Sequence, residues 1–228
     1  MDRVIGLIPA YNAAEFVARV VNNARQHVPV TVVNDGSTDA TAQQARAAGA
    51  LVIDQNPNQG KGAALQRGFR WALEQDVSAV ITLDADGQHD PAEIPRFRDC
   101  YQKAHPDLII GARDFSQMPF VRRLSNTIGR RAFSWAMGQP VRDNQSGYRL
   151  LSRRLMAAVL TSAERGFEFE MEMIVICVRN GWRMEWVPIR TIYADEKSNI
   201  RPLQHVANFF RMVWRTRRAL RAHGAHSP

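Results

Sequence analysis

Short apolar runs alternate with amphipathic stretches along the first hundred residues. VIGLIPAY predicts a strand, and AAEFVARVVNNARQH a helix with apolar residues at three- and four-residue spacing. VPVTVVNDGS predicts a second strand. The next helix is expected to open at STDATAQQARAAGA, with Ser37, Thr38 or Asp39 available as its N-cap. LVIDQNP reads as a third strand, GKGAALQRGFRWALEQ as a long helix, SAVITLDADG as a fourth strand and DLIIGAR as a fifth. Pro91 is expected to start a helix that runs to about Lys103. Beyond Arg113 the pattern loosens. Residues 114–135 are basic and partly helical, and VRDNQSGYRLLS leads through a turn into a strand or a helix. GFEFEMEMIVICVRNGW predicts a helix stopping at Gly181, and MEWVPIRTIYA a further strand.

Strand–helix alternation with continuous apolar strands predicts an α/β fold, a mostly parallel sheet covered by helices. Ligands of such sheets bind beyond the carboxyl ends of the strands. Tyr11, Asn12, Asp35, Asp84, Asp86 and Arg113 all follow strands here, so one cleft at one sheet edge is expected. The 228 residues suit one main domain, placed at 1–200, followed by a basic tail at 201–228. The tail changes the meaning of the net charge of +8: it carries six arginines and no acid, whereas the rest is nearly balanced. No apolar run approaches the length of a membrane span. A basic-then-apolar leader is lacking, and Cys100 and Cys177 show no metal or redox spacing, so a cytoplasmic protein with reduced thiols is expected.

Chemistry concentrates in LDADGQHDP. Asp84 and Asp86, one residue apart at a strand end, can offer hard oxygen ligands to Mg²⁺ or Mn²⁺, with Gln88 a neutral oxygen nearby. A D-x-D alone is also a common solvated turn. Asp90 reads as a cap before Pro91, and His89 as a polar neighbour of the site. Asp35 in NDGST could serve only the turn. GKG lacks the spacing of a phosphate loop, so Gly60 and Gly62 read as turn residues, with Lys61 a candidate nucleotide contact.

PAYNAAEF, VVNDGSTD, NPNQGKGAALQRG and LDADGQHDP occur in this order at successive strand ends. Together they resemble the family 2 glycosyltransferases of GT-A fold, and within them the polyprenol phosphate mannose or glucose synthase branch. The resemblance is strong over residues 4–115 and looser to about 202. It implies that Pro9 and Tyr11 line a nucleotide pocket, that Val33 and Asp35 read base and ribose, and that Asp84, Ala85, Asp86 and Gln88 bind the diphosphate through a metal. Arg113 would meet the sugar nucleotide or an acceptor phosphate. DNQSGYR matches a stretch on the acceptor side. Asp143 there is a candidate base, or else it positions the acceptor, organises Arg122, Arg123 or Arg149, or caps a loop, and those three arginines are the candidates for binding the acceptor.

The chain departs from the branch at Ala13 and Asn34, where it usually has acids, and at Thr191 and Asn199, where phosphate-gripping Arg and Lys usually stand. Arg190, Lys197 or Arg201 could substitute. In the tail, Val206, Phe209, Phe210, Val213 and Trp214 fall at helical spacing among arginines. Such a helix can lie in a membrane interface or pack on its own domain. Nucleic acid is not expected, because no recognition motif accompanies the charge. The resulting expectation is an inverting, metal-dependent transferase of a hexose from a GDP- or UDP-sugar to a lipid-linked acceptor, peripheral on the cytoplasmic membrane face. The alternatives are a hydroxyl acceptor on another lipid, polyene or glycan, and a non-catalytic nucleotide-sugar-binding or scaffold protein.

Overall fold

The computed structural model describes residues 2–117, 120–162, 168–190, 211 and 213–218, with the backbone alone for 117 and 120–122. Its strands are β1 (Val4–Ala10), β2 (Val30–Asp35), β3 (Leu51–Gln55), β4 (Ala79–Thr82), β5 (Leu108–Arg113), β6 (Arg149–Ser152) and β7 (Met184–Ile189). They form one sheet in the order β3-β2-β1-β4-β6-β5-β7. β6 runs antiparallel to both neighbours, and the other pairs are parallel. The helices are α1 (Val17–Ala24), α2 (Thr41–Ala47), α3 (Lys61–Glu74), α4 (Ile94–Ala104), α5 (Phe120–Met137), α6 (Arg153–Val159) and α7 (Glu168–Arg179).

The strands of β1, β2 and β4 are buried along their whole length because helices cover both sheet faces. Successive side chains divide between two cores at the two-residue period of a strand. Leu7, Val33, Val80 and Leu151 pack with Phe69 of α3, Leu155 of α6 and Phe169 of α7. Ile8, Val32, Ile81 and Leu150 pack on the other side with Val17 and Val21 of α1 and Phe97 of α4. The edge strands β3 and β7 are partly exposed, and β7 carries Pro188, which an edge tolerates.

The direction of β6 decides what reaches the cleft. Its first residue, Arg149, pairs with Thr82, the last residue of β4. An antiparallel strand lying between β4 and β5 therefore presents its preceding turn, residues 143–148, at the carboxyl edge of the parallel strands. At the opposite edge Asp107 is buried and accepts hydrogen bonds from Ser152 Oγ at 2.9 Å, from the Arg183 N–H at 3.3 Å and from the Arg154 guanidinium. It thereby ties the starts of β5 and β7 to the end of β6.

Local chemistry follows the expected turns with one shift. Asp90 accepts the Ala92 N–H at 3.0 Å and caps the 3₁₀ turn that Pro91 opens before α4. At α2 the N-cap position is Ala40, and Asp39 acts from one residue earlier, accepting the Thr41 N–H at 3.0 Å and also its hydroxyl. Gly181, at φ +65°, follows α7 as expected. In the tail, residues 213–218 are helical, with Val213 and Thr216 buried. Arg201, Val206, Phe209, Phe210 and Arg221 lie outside the described residues, as do Thr191, Lys197 and Asn199.

Helix α3 approaches β1 closely at Gly68, where an added Cβ would lie 2.5 Å from Leu7 Cδ1. Alanine would gain about 1 kcal/mol in helix propensity but overpack a fully buried leucine, at a cost of about 1–3 kcal/mol. Gly68→Ala is expected to lower the urea unfolding midpoint, and Gly68→Ala/Leu7→Ala to lose less than the sum of the two single variants in a double-mutant cycle.

Candidate active site

Four strand-end turns meet at the carboxyl edge of the sheet. After β1, Asn12 adopts φ +48° and its Oδ1 accepts the Thr38 N–H at 2.9 Å, while its own N–H donates to Ser37 Oγ at 3.0 Å. The Ala13 N–H donates to Thr41 Oγ1 at 2.7 Å, and the Ala14 N–H to Asp39 Oδ2 at 3.1 Å. The polar segment after β2 thus clamps the turn after β1. Tyr11 is left 53% exposed on the cleft wall.

Asp35 ends β2 almost fully buried. Its Oδ1 accepts from Gln55 Nε2 at 2.6 Å and the Gln59 N–H at 2.9 Å, and its Oδ2 accepts the Gly60 N–H at 2.8 Å. The carboxylate therefore holds the turn between β3 and α3. Gly36 is required beside it, since at φ +71° a Cβ would sit 2.6 Å from the Asn58 nitrogen. Asn34, which replaces an acid of the related pattern, donates from Nδ2 to Asp54 Oδ1 at 2.9 Å and accepts the Ser37 N–H at 3.2 Å.

β4 delivers Asp84, Ala85 and Asp86. The Asp84 N–H donates to His89 Nδ1 at 3.1 Å, which leaves the ring proton on Nε2. His89 is buried against Tyr148, so it anchors the Asp84 backbone. Asp86 Oδ1 accepts the Gln88 N–H at 2.9 Å, with Gly87 between them at φ +77°. Lys61, the first residue of α3, places Nζ 2.5 Å from Asp84 Oδ1 and 2.8 Å from Oε1 of Glu170, which is buried on α7. Burial by itself would raise the Asp84 carboxyl. The Lys61 ammonium, with His89 and Arg113 beyond it, overrides that and holds it at about 2. Burial would likewise depress Lys61, but Asp84 and Glu170 keep it above the ordinary lysine value. Gly147 closes the cluster: a Cβ there would lie 2.9 Å from both Lys61 Nζ and Glu170 Oε1.

On the other side of the cluster, Asp143 and Arg113 form a bidentate pair, Nε to Oδ2 at 2.6 Å and Nη2 to Oδ1 at 3.0 Å. The Asp143 side chain is fully enclosed and also accepts N–H donors from Gln145 and Ser146. Its oxygens organise Arg113 and a turn, an arrangement that leaves none of them facing the cleft as a base. Arg149 departs from the expected acceptor role. It is wholly buried, and its guanidinium donates to the carbonyls of Ser146, Asn144 and Glu170. Val33 also departs from expectation: it points into the core under β2 and does not line the cleft. Arg123 is exposed on α5, and the side chain of Arg122 lies outside the described residues.

Pro9, Tyr11, Asp35, Lys61, Asp84, Ala85 and Asp86 line one cleft of ≈ 580 Å³, together with Asn58 and Gly60. That volume is ordinary for a small-molecule site. Gln88 and Arg113 are not among the lining residues: the Gln88 N–H bonds Asp86, and Arg113 is paired with Asp143. Glu170 and Asn58 were not foreseen. Glu170 is one of three alternating acids, Glu168, Glu170 and Glu172, at the start of α7, so the sequence did not single it out; once buried, its carboxylate requires a cation.

The donor set fits a hard divalent cation. Asp84 Oδ1 is buried and, beyond its ion pair, has no well-directed hydrogen bond, and Asp86 stands at the cleft wall. No cluster of three or more acidic, His or Cys side chains able to hold a metal occurs among the described residues. Two carboxylates one residue apart would suit Mg²⁺ or Mn²⁺, which complete their shells with water and substrate oxygens.

The family model for glycosyl transferase family 2 matches residues 7–160, and the chain belongs to that family. Its architecture is the GT-A fold of these glycosyltransferases. Among relatives, it is 32% identical over 205 residues to an undecaprenyl-phosphate mannosyltransferase of Micrococcus luteus, covering 82% of each chain. It is 29% identical over 222 residues to a UDP-N-acetylglucosamine–dolichyl-phosphate N-acetylglucosaminyltransferase of Methanococcus voltae, covering 85% of this chain and 88% of the other. A similar fold occurs in glucosyl-3-phosphoglycerate synthase of Mycobacterium tuberculosis, solved with Mn²⁺, uridine diphosphate and phosphoglyceric acid. There the TM-score is 0.73 at 19% identity, over 94% of this chain and 77% of the other.

Lys61→Met removes the cation from two carboxylates, one of them deeply buried. We expect a loss of about 2–3 kcal/mol at pH 7, discounted for the partial exposure of Lys61. Asp84 has a depressed folded value, so its contribution is complete above the unfolded carboxyl range near pH 4 and is lost as pH falls towards 2. In the variant Asp84 loses the cation that lowers its value and protonates at a higher pH, which relieves the penalty. Urea unfolding from pH 7 to pH 3 should show the gap between the two proteins narrowing. A gap independent of pH would contradict the ion-pair account.

Proposed function

We propose that the protein transfers a hexose from a nucleoside-diphosphate sugar to the phosphate of a polyprenyl lipid, with inversion at the anomeric carbon and with help from a divalent cation. The observation that carries this reading is the Asp84–Ala85–Asp86 segment at the carboxyl end of β4, opening on the cleft that Tyr11 walls. Relatives named for undecaprenyl- and dolichyl-phosphate acceptors support the acceptor class.

In this reading the exposed Tyr11 ring stacks on the base, and the turn held by Asp35, with Asn58 and Gly60, shapes the ribose side. Asp84 and Asp86 would hold Mg²⁺ or Mn²⁺, which supplies positive charge to the diphosphate as it leaves. Lys61 stands beside Asp84 and Glu170 and offsets their charge. Arg113, fixed by Asp143, is presented as a donor for the acceptor phosphate or the donor sugar. An acceptor phosphate oxygen forms its bond to the anomeric carbon as the bond to the diphosphate breaks, giving a lipid phosphosugar and a nucleoside diphosphate. With its second pKa at about 6, that phosphate is ionised near neutral pH and needs no base. The enclosure of Asp143 therefore favours a phosphate acceptor over a hydroxyl one. Work on a membrane lipid implies peripheral residence on the cytoplasmic face. No helix among the described residues is long and apolar enough to cross a membrane.

Asp86→Ala should lower transfer by about 100-fold or more, the scale of losing a principal contact to developing charge. Labelled GDP- and UDP-sugars supplied with polyprenyl phosphate would show it, the product being a lipid-soluble sugar that mild acid releases. Near-normal turnover of the variant with the correct donor would refute the site. An acid-stable glycoside would shift the reading to a hydroxyl acceptor.

A further inference from the structure

Lys61 opens α3, and nothing local to the helix asks for a cation there. The N-terminus of a helix carries the positive end of its dipole, and the first turn of α3 holds no acid to offset it. The side chain is claimed from outside the helix instead. Its ammonium lies 2.5 Å from Asp84 Oδ1 and 2.8 Å from Glu170 Oε1, so two carboxylates share one positive charge.

The two acids differ in their surroundings. Asp84 lines the cleft, as Lys61 itself does, whereas the Glu170 side chain is only 4% exposed. Glu170 Oε2 is buried and accepts no hydrogen bond among the described residues. A permanent three-membered ion cluster has no use for such an oxygen, because a buried acceptor left unpaired is costly. It is a second place for an ammonium, which carries three donors. Gly147 shows how closely the groups converge: its added Cβ would lie 2.9 Å from Lys61 Nζ, 2.9 Å from Glu170 Oε1 and 3.0 Å from Asp84 Oδ2. The ammonium can therefore pass from one acid to the other by turning the last bonds of its side chain.

We propose that Lys61 is a built-in competitor for the divalent cation: its ammonium holds Asp84 until a nucleoside diphosphate arrives with the metal, and Glu170 then keeps the displaced ammonium. An ammonium and a divalent cation on the same carboxylate oxygen repel each other, so one must give way. Lys61 and Glu170 are positioning residues in this arrangement, because neither ligates the metal. Glu170 ensures that the displaced charge is not left buried and unpaired. The consequence is ordered binding. A cation arriving alone meets a carboxylate that Lys61 has already neutralised, whereas one arriving with a diphosphate brings oxygens that complete its shell. When the nucleotide leaves, Lys61 returns to Asp84 and favours release of the metal with it. This inference rests on the proposed metal-assisted reaction.

Mn²⁺ binding, read from the electron paramagnetic resonance signal of the free ion, tests it in wild type, Glu170→Gln and Lys61→Met/Glu170→Gln. The double variant removes one positive and one negative charge, so the net charge is kept and Glu170 is not left as an unpaired buried ion. Without nucleotide it should bind Mn²⁺ at least about tenfold more tightly than wild type, because Asp84 is freed. Glu170→Gln leaves the ammonium to Asp84 and should bind Mn²⁺ at least about threefold more weakly. Adding uridine or guanosine diphosphate should raise Mn²⁺ affinity less in the double variant than in wild type. Equal or weaker Mn²⁺ binding by the double variant overturns the competitor, and so does unchanged or tighter binding by Glu170→Gln, so either variant decides alone. Mn²⁺ binding that ignores both substitutions removes the competitor and leaves the proposed reaction standing. Failure of all three proteins to bind Mn²⁺, with or without nucleotide, removes both.

Discussion

A strand that is apolar on both faces ends in carboxylates, and the structure depends on how that charge is carried. β4 is wholly buried, yet it runs directly into Asp84. Lys61 compensates the charge from the start of α3, and Glu170 holds Lys61 in place from α7. Three elements distant in sequence are thereby brought to one point. Gly147 is needed where the turn before β6 crosses that point, because even a methyl group would touch all three charges. Buried ions this close contribute little net stability against an apolar replacement, but removing one partner is costly. The cluster is better understood as fixing the position of Asp84 than as a source of stability.

The reversal of β6 is the second constraint. A purely parallel sheet would send the 143–148 turn to the far edge. Set antiparallel between β4 and β5, β6 instead brings Asp143 to Arg113 at the carboxyl edge, so one ion pair both aims the arginine and clasps the root of α5. The cleft and the root of α5 then lie at the carboxyl edge of the sheet through backbone direction alone.

Much of this was legible in the sequence. The five strands up to Arg113 and their polar ends were marked by β-branched runs and by turn residues, and the Asp90 cap before Pro91 by local chemistry. The direction of β6 was not legible, because four apolar residues carry no sign of which neighbour they will join. Val33 and Arg149 show a related limit. Motif position placed both at the site, whereas strand alternation turned Val33 into the core and a ring of carbonyls took the Arg149 guanidinium inside. Glu170 belongs to the site only through α7 packing over the sheet, a contact of high sequence separation that local patterning cannot specify. Of the tail's apolar positions Val213 is buried and Trp214 exposed, and Val206, Phe209 and Phe210 lie outside the described residues.

The central claim is that the carboxylates at the end of β4 bind a nucleoside diphosphate through a divalent cation. Calorimetric titration of uridine and guanosine diphosphates into the protein, with Mn²⁺ and then with chelator, tests it most directly. The account predicts that one nucleotide binds at least about tenfold more tightly with the metal, a coupling of about 1.4 kcal/mol. Equal affinity of that nucleotide with Mn²⁺ and with chelator would contradict it.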